Sequence, residues 1–245
     1  LAYAIDLNGS ERFQVRVRNL ITGRDFSTKI EDAKGDIAWA NDGKTLFYTL
    51  LDDNHRPFRV MRHTVDMEQK SDDLIYEEAD PGFFVSLDKC QSGQFIIISA
   101  HDHTTSEIHL IDANDPHSPL EIVTPRNVNI EYSVAPIGEK LLILTNADDA
   151  EDFKIVETPL SNPNRENWKD VVPHEPGRLI RTILEFANHL VRLERVDGLP
   201  RIIIREIITG AEHTIEFDEE VYELGVLPGY EFDTATLRFT YSSMT

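Results

Sequence analysis

The chain has 245 residues, and 40% of them are hydrophobic, which is enough to bury a sizeable core in one domain. Its formal net charge of −20 is spread along the sequence and disfavours non-specific binding to nucleic acid or anionic membranes, since both require a basic surface. With one cysteine, Cys90, an internal disulfide is excluded, so we expect a reducing, cytoplasmic compartment and a structural role for the thiol. No apolar run reaches the ~18 residues of a membrane span.

The first predicted elements are short β-strands separated by turns. Strands are predicted over Leu1–Ile5 and Phe13–Val17, with a weaker one around Phe26. A strong hairpin follows between Asp36 and Tyr48, where Asn41-Asp42-Gly43 separates two apolar runs. Asp-Gly between such runs is the strongest short-range hairpin signal, because glycine accepts the positive φ of a tight turn.

The same unit of four strands recurs along the chain. Complete units are predicted at residues 36–78, 83–125, 130–173 and 179–218, with incomplete ones at 1–35 and 221–245. Four strands at a period of about 40–50 residues are typical of a β-propeller blade. We therefore predict an all-β fold that forms a single, partial β-propeller domain equivalent to about five to six blades. The loop Pro173–Pro176 is predicted to join two of these blades.

Both ends of the chain, at Leu1 and Thr245, fall in strand-like sequence. We therefore expect the chain to be a segment of a longer protein. An open ring would leave unpaired blade edges, through which the fragment is expected to self-associate.

No motif in the sequence indicates an active site or a cofactor. The Gly-x-Ser-x-Gly elbow, the Walker loop and the dinucleotide fingerprint do not occur. His101 and His103, with Asp102 between them and Glu107 nearby, could offer imidazoles to a metal ion, but no third convergent ligand is evident. We predict no metal site there.

Two acidic segments admit a functional and a structural interpretation. The segment Asp148–Asp152 could bind calcium, but without the spaced ligands and glycine of a calcium loop we interpret it as a solvated hairpin tip. Glu219 and Glu220 could be a glycosidase pair, yet an acidic chain supplies such pairs by chance. From spacing alone, no catalytic residue is predicted.

Eight segments in order resemble the propeller of the oligopeptidase B branch of the prolyl oligopeptidase family of serine peptidases. They are GDIAWANDGKTLFYT, RPFRVMRHTV, LIYEE, FFVSL, TTSEIHLIDA, ENW, LVRLERVDGLPR and LRFTYSSMT, which runs to Thr245. The resemblance implies a seven-bladed propeller that covers an α/β-hydrolase peptidase domain, and a parent enzyme that cleaves short peptides after Arg or Lys without a cofactor. The Ser-Asp-His triad belongs to that later domain, so none of its residues is carried onto this chain, which is expected to be inactive alone.

The resemblance also implies that the propeller gates the active site and filters substrates by size. Glu11 falls where some members carry an interdomain glutamate, and we regard it as a candidate gating residue; the alternative is a solvated turn residue. The acidic surface suits short basic peptides as substrates. Two other hypotheses stay open: a free-standing propeller that binds a protein or peptide, and a propeller hydrolase with its own carboxylates.

Overall fold

The computed structural model describes residues 1–229 and 231–244. Within these residues, β-strands are joined by turns, and the helical elements are short 3-10 helices at Gln69–Ser71 and Arg165–Asn167. None of the helices in this part of the chain has the length and apolar character needed to span a membrane. Of the predicted last motif, Thr245 lies outside the described residues.

The first of two compact units spans Leu1–Pro125 and contains two antiparallel sheets with strands in chain order. The six-stranded sheet consists of β1 (Ala2–Ile5), β2 (Phe13–Asn19), β3 (Arg24–Trp39), β4 (Thr45–Leu51), β5 (Pro57–Thr64) and β6 (Asp73–Glu77). The four-stranded sheet consists of β7 (Phe84–Lys89), β8 (Phe95–His101), β9 (Ser106–Asp112) and β10 (Glu121–Thr124).

The second compact unit spans Arg126–Thr245 and contains three antiparallel sheets. The first consists of β11 (Tyr132–Ile137), β12 (Lys140–Thr145), β13 (Lys154–Pro159) and β14 (Lys169–Val172). The second consists of β15 (Arg178–Glu185), β16 (His189–Val196), β17 (Leu199–Glu206) and β18 (Glu212–Thr214), and the third of β19 (Tyr222–Leu227) and β20 (Arg238–Ser243). Antiparallel sheets of four sequential strands are propeller blades, so the predicted fold class is confirmed.

One strand, β3, continues across the position at which the sequence predicts a new unit. Its first part pairs with β2, with Val15 opposite Ile30, and its last part pairs with β4, with Ile37 opposite Tyr48. The register shifts between Ala33 and Ile37, around Gly35, whose φ is +107°. Glycine reaches this conformation without strain, so the strand can change partners there without ending.

Two strands, β4 and β12, are the most buried strands of their sheets. In β4, Leu46 and Tyr48 pack on one face and Phe47 on the other, all with no exposed surface. β12 is likewise buried at five successive positions. Each fully buried side chain of this size contributes about 1.5–3 kcal/mol, so these strands anchor the core of each unit.

A buried network of charges lies in the second unit. The Arg192 guanidinium donates to Glu194 at 2.9 Å and to both carboxylate oxygens of Glu212 at 2.8 Å. Arg205 donates to Glu212 at 2.8 Å as well. All three nitrogens of Arg192 are therefore paired, as a guanidinium that is 5% exposed requires.

Candidate functional site

The candidate site begins at the loop between β1 and β2, which folds around the carboxylate of Asp6. This carboxylate accepts hydrogen bonds from the backbone N–H groups of Asn8 (3.1 Å), Ser10 (3.1 Å) and Glu11 (2.7 Å). The bonds from Glu11 and then Ser10 lower the pKa of Asp6 from its ordinary value. Because the three bonds converge on one side chain, the loop has a defined conformation without a partner from elsewhere.

Two arginines join this loop to its neighbours in the first unit. Arg12 donates through Nη2 to the Asp52 carbonyl at 2.6 Å, and its Nη1 lies 3.4 Å from Asp32. Arg56 pairs with the Asp52 carboxylate at 3.0 Å and donates to the carbonyls of Asp80 and Phe83, each at 2.9 Å. We call residues 6–12, 52–56 and 78–83 the end loops; these contacts hold them as one rigid group.

Glu11 is an exposed acidic residue of the end loops with an unusual backbone conformation. Its φ is +60°, in the left-handed region that non-glycine residues rarely adopt, and it is held there by the bond to Asp6. Among the described residues, no hydrogen-bond or ion-pair partner of the Glu11 carboxylate is found. The backbone of Glu11 is therefore fixed, and its exposed carboxylate is available to pair with a cation.

The two histidines of the metal hypothesis are not brought to a common centre with a third ligand. His101 contacts the Asp102 carbonyl through Nδ1 at 3.2 Å and packs against Phe84. Asp102 uses its carboxylate to accept from the N–H groups of Thr104 and Thr105 at 2.7 and 2.6 Å. No group of three or more metal-ligating side chains occurs in the described residues, and the absence of a metal from the protein stays a prediction.

The acidic loop Asp148–Asp152 uses its carboxylates within the protein. Asp148 pairs with Lys154 at 3.0 Å and with Arg165 at 2.9 Å, and these bonds, with Lys154 first, lower its pKa. Asp152 accepts from the Gly177 N–H at 2.7 Å, which ties the loop to the connection between β14 and β15. The loop is thus more internally bonded than the predicted solvated tip.

The predicted acidic pair Glu219 and Glu220 lies in the connection between β18 and β19. The hydrogen bond of Tyr241 to Glu219 raises the pKa of the tyrosine, so Glu219 already has a neighbour in the same sheet region. Glu220 is exposed. The geometry gives no support to a glycosidase function for this pair.

A buried polar cluster in the first unit was not predicted from the sequence. Asp72 accepts from the Tyr48 hydroxyl at 2.9 Å and contacts His63 Nδ1 at 2.7 Å, and the His63 and Asp72 side chains are 1% exposed. Burial, followed by the Asp72 charge, raises the pKa of Tyr48. Since no substrate can reach these groups, the cluster fixes the β5–β6 loop rather than performing chemistry. Its members are 9 and 24 residues apart in sequence, with no motif to connect them.

The whole chain matches the family model described as the prolyl oligopeptidase N-terminal beta-propeller domain, over residues 1–245. Among curated proteins it is 32% identical to a dipeptidyl aminopeptidase BI of Pseudoxanthomonas mexicana and 33% identical to a protease 2 of Moraxella lacunata. Both alignments cover 100% of this chain, but only 34% and 35% of the relatives. The chain therefore spans about a third of their length.

Two solved structures have the same fold at high similarity. The oligopeptidase B of Leishmania major superposes with a TM-score of 0.94 at 27% identity. The closed form of the Trypanosoma brucei oligopeptidase B, with covalently bound antipain, gives a TM-score of 0.90 at 30% identity. Each match covers 99% of this chain and 35% of the other.

Proposed function

The chain belongs to the prolyl oligopeptidase family, within the N-terminal β-propeller domain, and we propose that it is the non-catalytic gate of a serine oligopeptidase. In this proposal the peptidase domain of the same protein holds the Ser-Asp-His triad. The propeller admits short peptides, excludes folded proteins by their size, and limits the access of water to the closed site. The chain alone is then inactive. The observation that carries the proposal is the match of all 245 residues to this domain.

The proposed gating contact is made by Glu11. Its carboxylate stands on a loop fixed by Asp6, and Arg12 joins this loop to the other end loops through Asp52. A cationic side chain of the peptidase domain would pair with Glu11 in the closed state and separate from it on opening. A rigid loop suits this role because little conformational entropy is lost when the contact forms.

The proposed substrates are short peptides that are cleaved after Arg or Lys. The similarity to two oligopeptidases B supports this specificity, and so does the net charge of −20, which attracts cationic peptides to the protein. Cleavage itself requires no cofactor in this proposal. We also propose that the protein works in the cytoplasm, where the single Cys90 stays reduced.

The test compares the full-length protein with the 245-residue chain. Both are assayed for hydrolysis of a reporter amide after Arg-Arg and for labelling by a serine-directed phosphonate. We expect an active, labelled full-length protein and an inert, unlabelled chain. A full-length protein that neither cleaves nor reacts would overturn the peptidase proposal and support a free-standing binding propeller. A labelled 245-residue chain would show that the nucleophile had been placed in the wrong domain.

A further inference from the structure

Two arginines in the second unit share a single carboxylate and leave most of their donors unused. Arg195 Nη2 lies 3.4 Å from Glu223 Oε2, and Arg181 Nη1 lies 3.8 Å from Glu223 Oε1. The three side chains are 37%, 44% and 61% exposed, in the order Arg195, Arg181, Glu223. In the described part of the chain, Arg195 makes one side-chain hydrogen bond, to Glu223 Oε2, and Arg181 makes none.

Arg192, in the same blade, makes structural ion pairs with which the contacts of Arg181 and Arg195 can be compared. Arg192 is buried, and each of its three nitrogens donates to a carboxylate oxygen at 2.8–2.9 Å. Arg181 and Arg195 lie farther from Glu223 and are more exposed. Each guanidinium carries five N–H groups, so most of these donors are free to bind another acceptor. The two guanidinium groups can therefore bind a second anion.

The backbone also directs Arg181 toward this position. The pairing between β15 and β16 shifts register between Ile180 and Thr182, so Arg181 is the extra residue of a β-bulge. Bulges re-aim a side chain and are over-represented beside active sites. β15 is the outermost strand on one side of its sheet, so the bulge lies at the sheet edge, where the Ile180 N–H donates to the Asp152 carbonyl at 3.0 Å.

The charge of the cluster selects the kind of ligand. Two guanidinium groups and one carboxylate carry a net charge of about +1, while the whole chain carries −20. The planar guanidinium fork matches a carboxylate, which it binds through two parallel hydrogen bonds. Every short peptide with a free C-terminus carries one carboxylate whatever its sequence, namely the C-terminal one.

We propose that Arg181 and Arg195 bind the C-terminal carboxylate of a peptide substrate. This inference rests on the proposed function, because it assigns a second recognition element to the same peptides. Basic side chains bring the substrate to the acidic protein, and the terminal carboxylate is then held by the two arginines. Glu223 competes with that carboxylate for the same donors, and so weakens the site.

The test uses two peptides of one sequence, one with a free C-terminal carboxylate and one with a C-terminal amide, and the full-length protein. We expect kcat/KM to favour the free acid by about three-fold for each arginine engaged, with a preference that decreases as salt increases. Arg181→Gln, Arg195→Gln and the double variant should lower this preference, and the double variant should abolish it. Glu223→Gln should increase it, because it releases both guanidinium groups.

Arg201→Gln is the matched control, since Arg201 is an exposed arginine of the same blade without a carboxylate partner among the described residues. It should leave the preference unchanged. A third peptide, amidated but with an internal aspartate, distinguishes the terminal carboxylate from an acidic side chain. Binding of fluorescently labelled copies of the three peptides, followed by anisotropy, gives the same comparison without catalysis.

The outcomes separate the two proposals. If both terminal forms are cleaved equally and bind equally, the carboxylate site is wrong while the peptidase function stands. If no peptide is cleaved, the proposed function fails, and the anisotropy comparison still decides whether the two arginines prefer the free acid. An equal loss of preference in Arg201→Gln would assign the effect to net charge and overturn the site.

Discussion

Cys90 occupies in the β7–β8 hairpin the position that Ala40 occupies in the β3–β4 hairpin. The Ala40 N–H donates to the Thr45 carbonyl at 2.9 Å, and the Cys90 N–H donates to the Phe95 carbonyl at 3.0 Å. Three residues further on, the N–H of Gly43 or Gly93 donates back to the same residue's carbonyl. The site is small and buried in both hairpins, with Ala40 3% and Cys90 6% exposed.

This equivalence predicts that alanine is tolerated at position 90. Cys90→Ala should lower the free energy of unfolding by less than about 1.5 kcal/mol, because the sulfur makes only weak hydrogen bonds, with the Phe95 N–H at 3.1 Å and the Ser92 hydroxyl at 3.2 Å. Cys90→Leu should cost about 1–3 kcal/mol by overpacking. Urea unfolding of the three proteins measures this. A loss above about 3 kcal/mol for alanine would contradict a purely packing role.

A second prediction concerns two fully buried threonines with opposite hydrogen-bonding. The Thr49 hydroxyl has no partner among the described residues, whereas the Thr145 hydroxyl donates to the Glu131 carbonyl at 2.8 Å and accepts from the Ala147 N–H at 3.1 Å. Thr49→Val should therefore raise the free energy of unfolding by about 1 kcal/mol, since it removes an unpaired polar group. Thr145→Val is the matched control and should lower it by about 1–3 kcal/mol.

Chemical denaturation at constant pH gives both values. A destabilised Thr49→Val protein would show that the hydroxyl is satisfied, for instance by water. Equal effects of the two substitutions would show that shape, and not hydrogen bonding, decides the result at both sites.

The local signals in the sequence were sufficient for most of the fold. Asp197-Gly198 joins β16 to β17 with positive φ at both residues, as a two-residue hairpin requires, and Gly43 and Gly93 have positive φ in their turns. The predicted extent of strand was wrong where packing between aromatic side chains takes the place of hydrogen bonds between strands. β18 ends at Thr214, short of the end of the unit predicted at residues 179–218, because Phe217 packs against Tyr222 and Tyr241, with ring centroids 5.0 Å apart in each case.

Less of the candidate site could be predicted. The position of Glu11 followed from a resemblance, but the bonds from Asp6 that fix it depend on a local turn that no periodicity reveals. The cluster of Tyr48, His63 and Asp72 joins residues 9 and 24 positions apart, and Arg195 reaches Glu223, 28 positions away. Such contacts arise from register and bulges, which depend on the pairing of whole strands.

A third prediction concerns the pH dependence of stability at Glu212. Its hydrogen bond from Arg192 lowers its pKa in the folded protein from the ordinary value of 4.5. A lowered folded pKa means that the stabilisation is complete above pH 4.5 and is lost as pH falls through the folded value. Glu212→Gln should therefore reduce the free energy of unfolding at pH 7, and the difference from the unsubstituted protein should shrink below about pH 4.

Denaturant unfolding between pH 3 and pH 8 measures this difference. Glu216→Gln is the control, because Glu216 is exposed and has no ion-pair partner in the described residues, so it should follow the unsubstituted protein. A pH-independent difference for Glu212→Gln would show that lost packing, and not charge, explains the effect.

The fourth prediction tests steering by the acidic surface. Because the 245-residue chain carries a net charge of −20, the full-length protein should cleave a dibasic peptide with a kcat/KM that falls as ionic strength rises. An otherwise identical substrate in which citrulline replaces the basic residue that is not at the cleaved bond should show a shallower decrease. Stopped-flow or initial-rate measurements between 20 and 500 mM salt, taken as rough bounds of the screening range, supply the slopes. A salt-insensitive kcat/KM would contradict steering.

The last prediction concerns the proposed gating contact. In the full-length protein, Glu11→Lys should change kcat/KM by at least about three-fold, because a pairing with a cation becomes a repulsion. Glu11→Gln removes the charge with the same shape and should give an intermediate effect. Asp6→Ala, which frees the loop while leaving the Glu11 charge, should act in the same direction. Glu139→Lys, in the exposed turn between β11 and β12, is the control for overall charge. If Glu11→Lys and Glu139→Lys have the same kinetics, Glu11 is a solvated turn residue and the gate lies elsewhere.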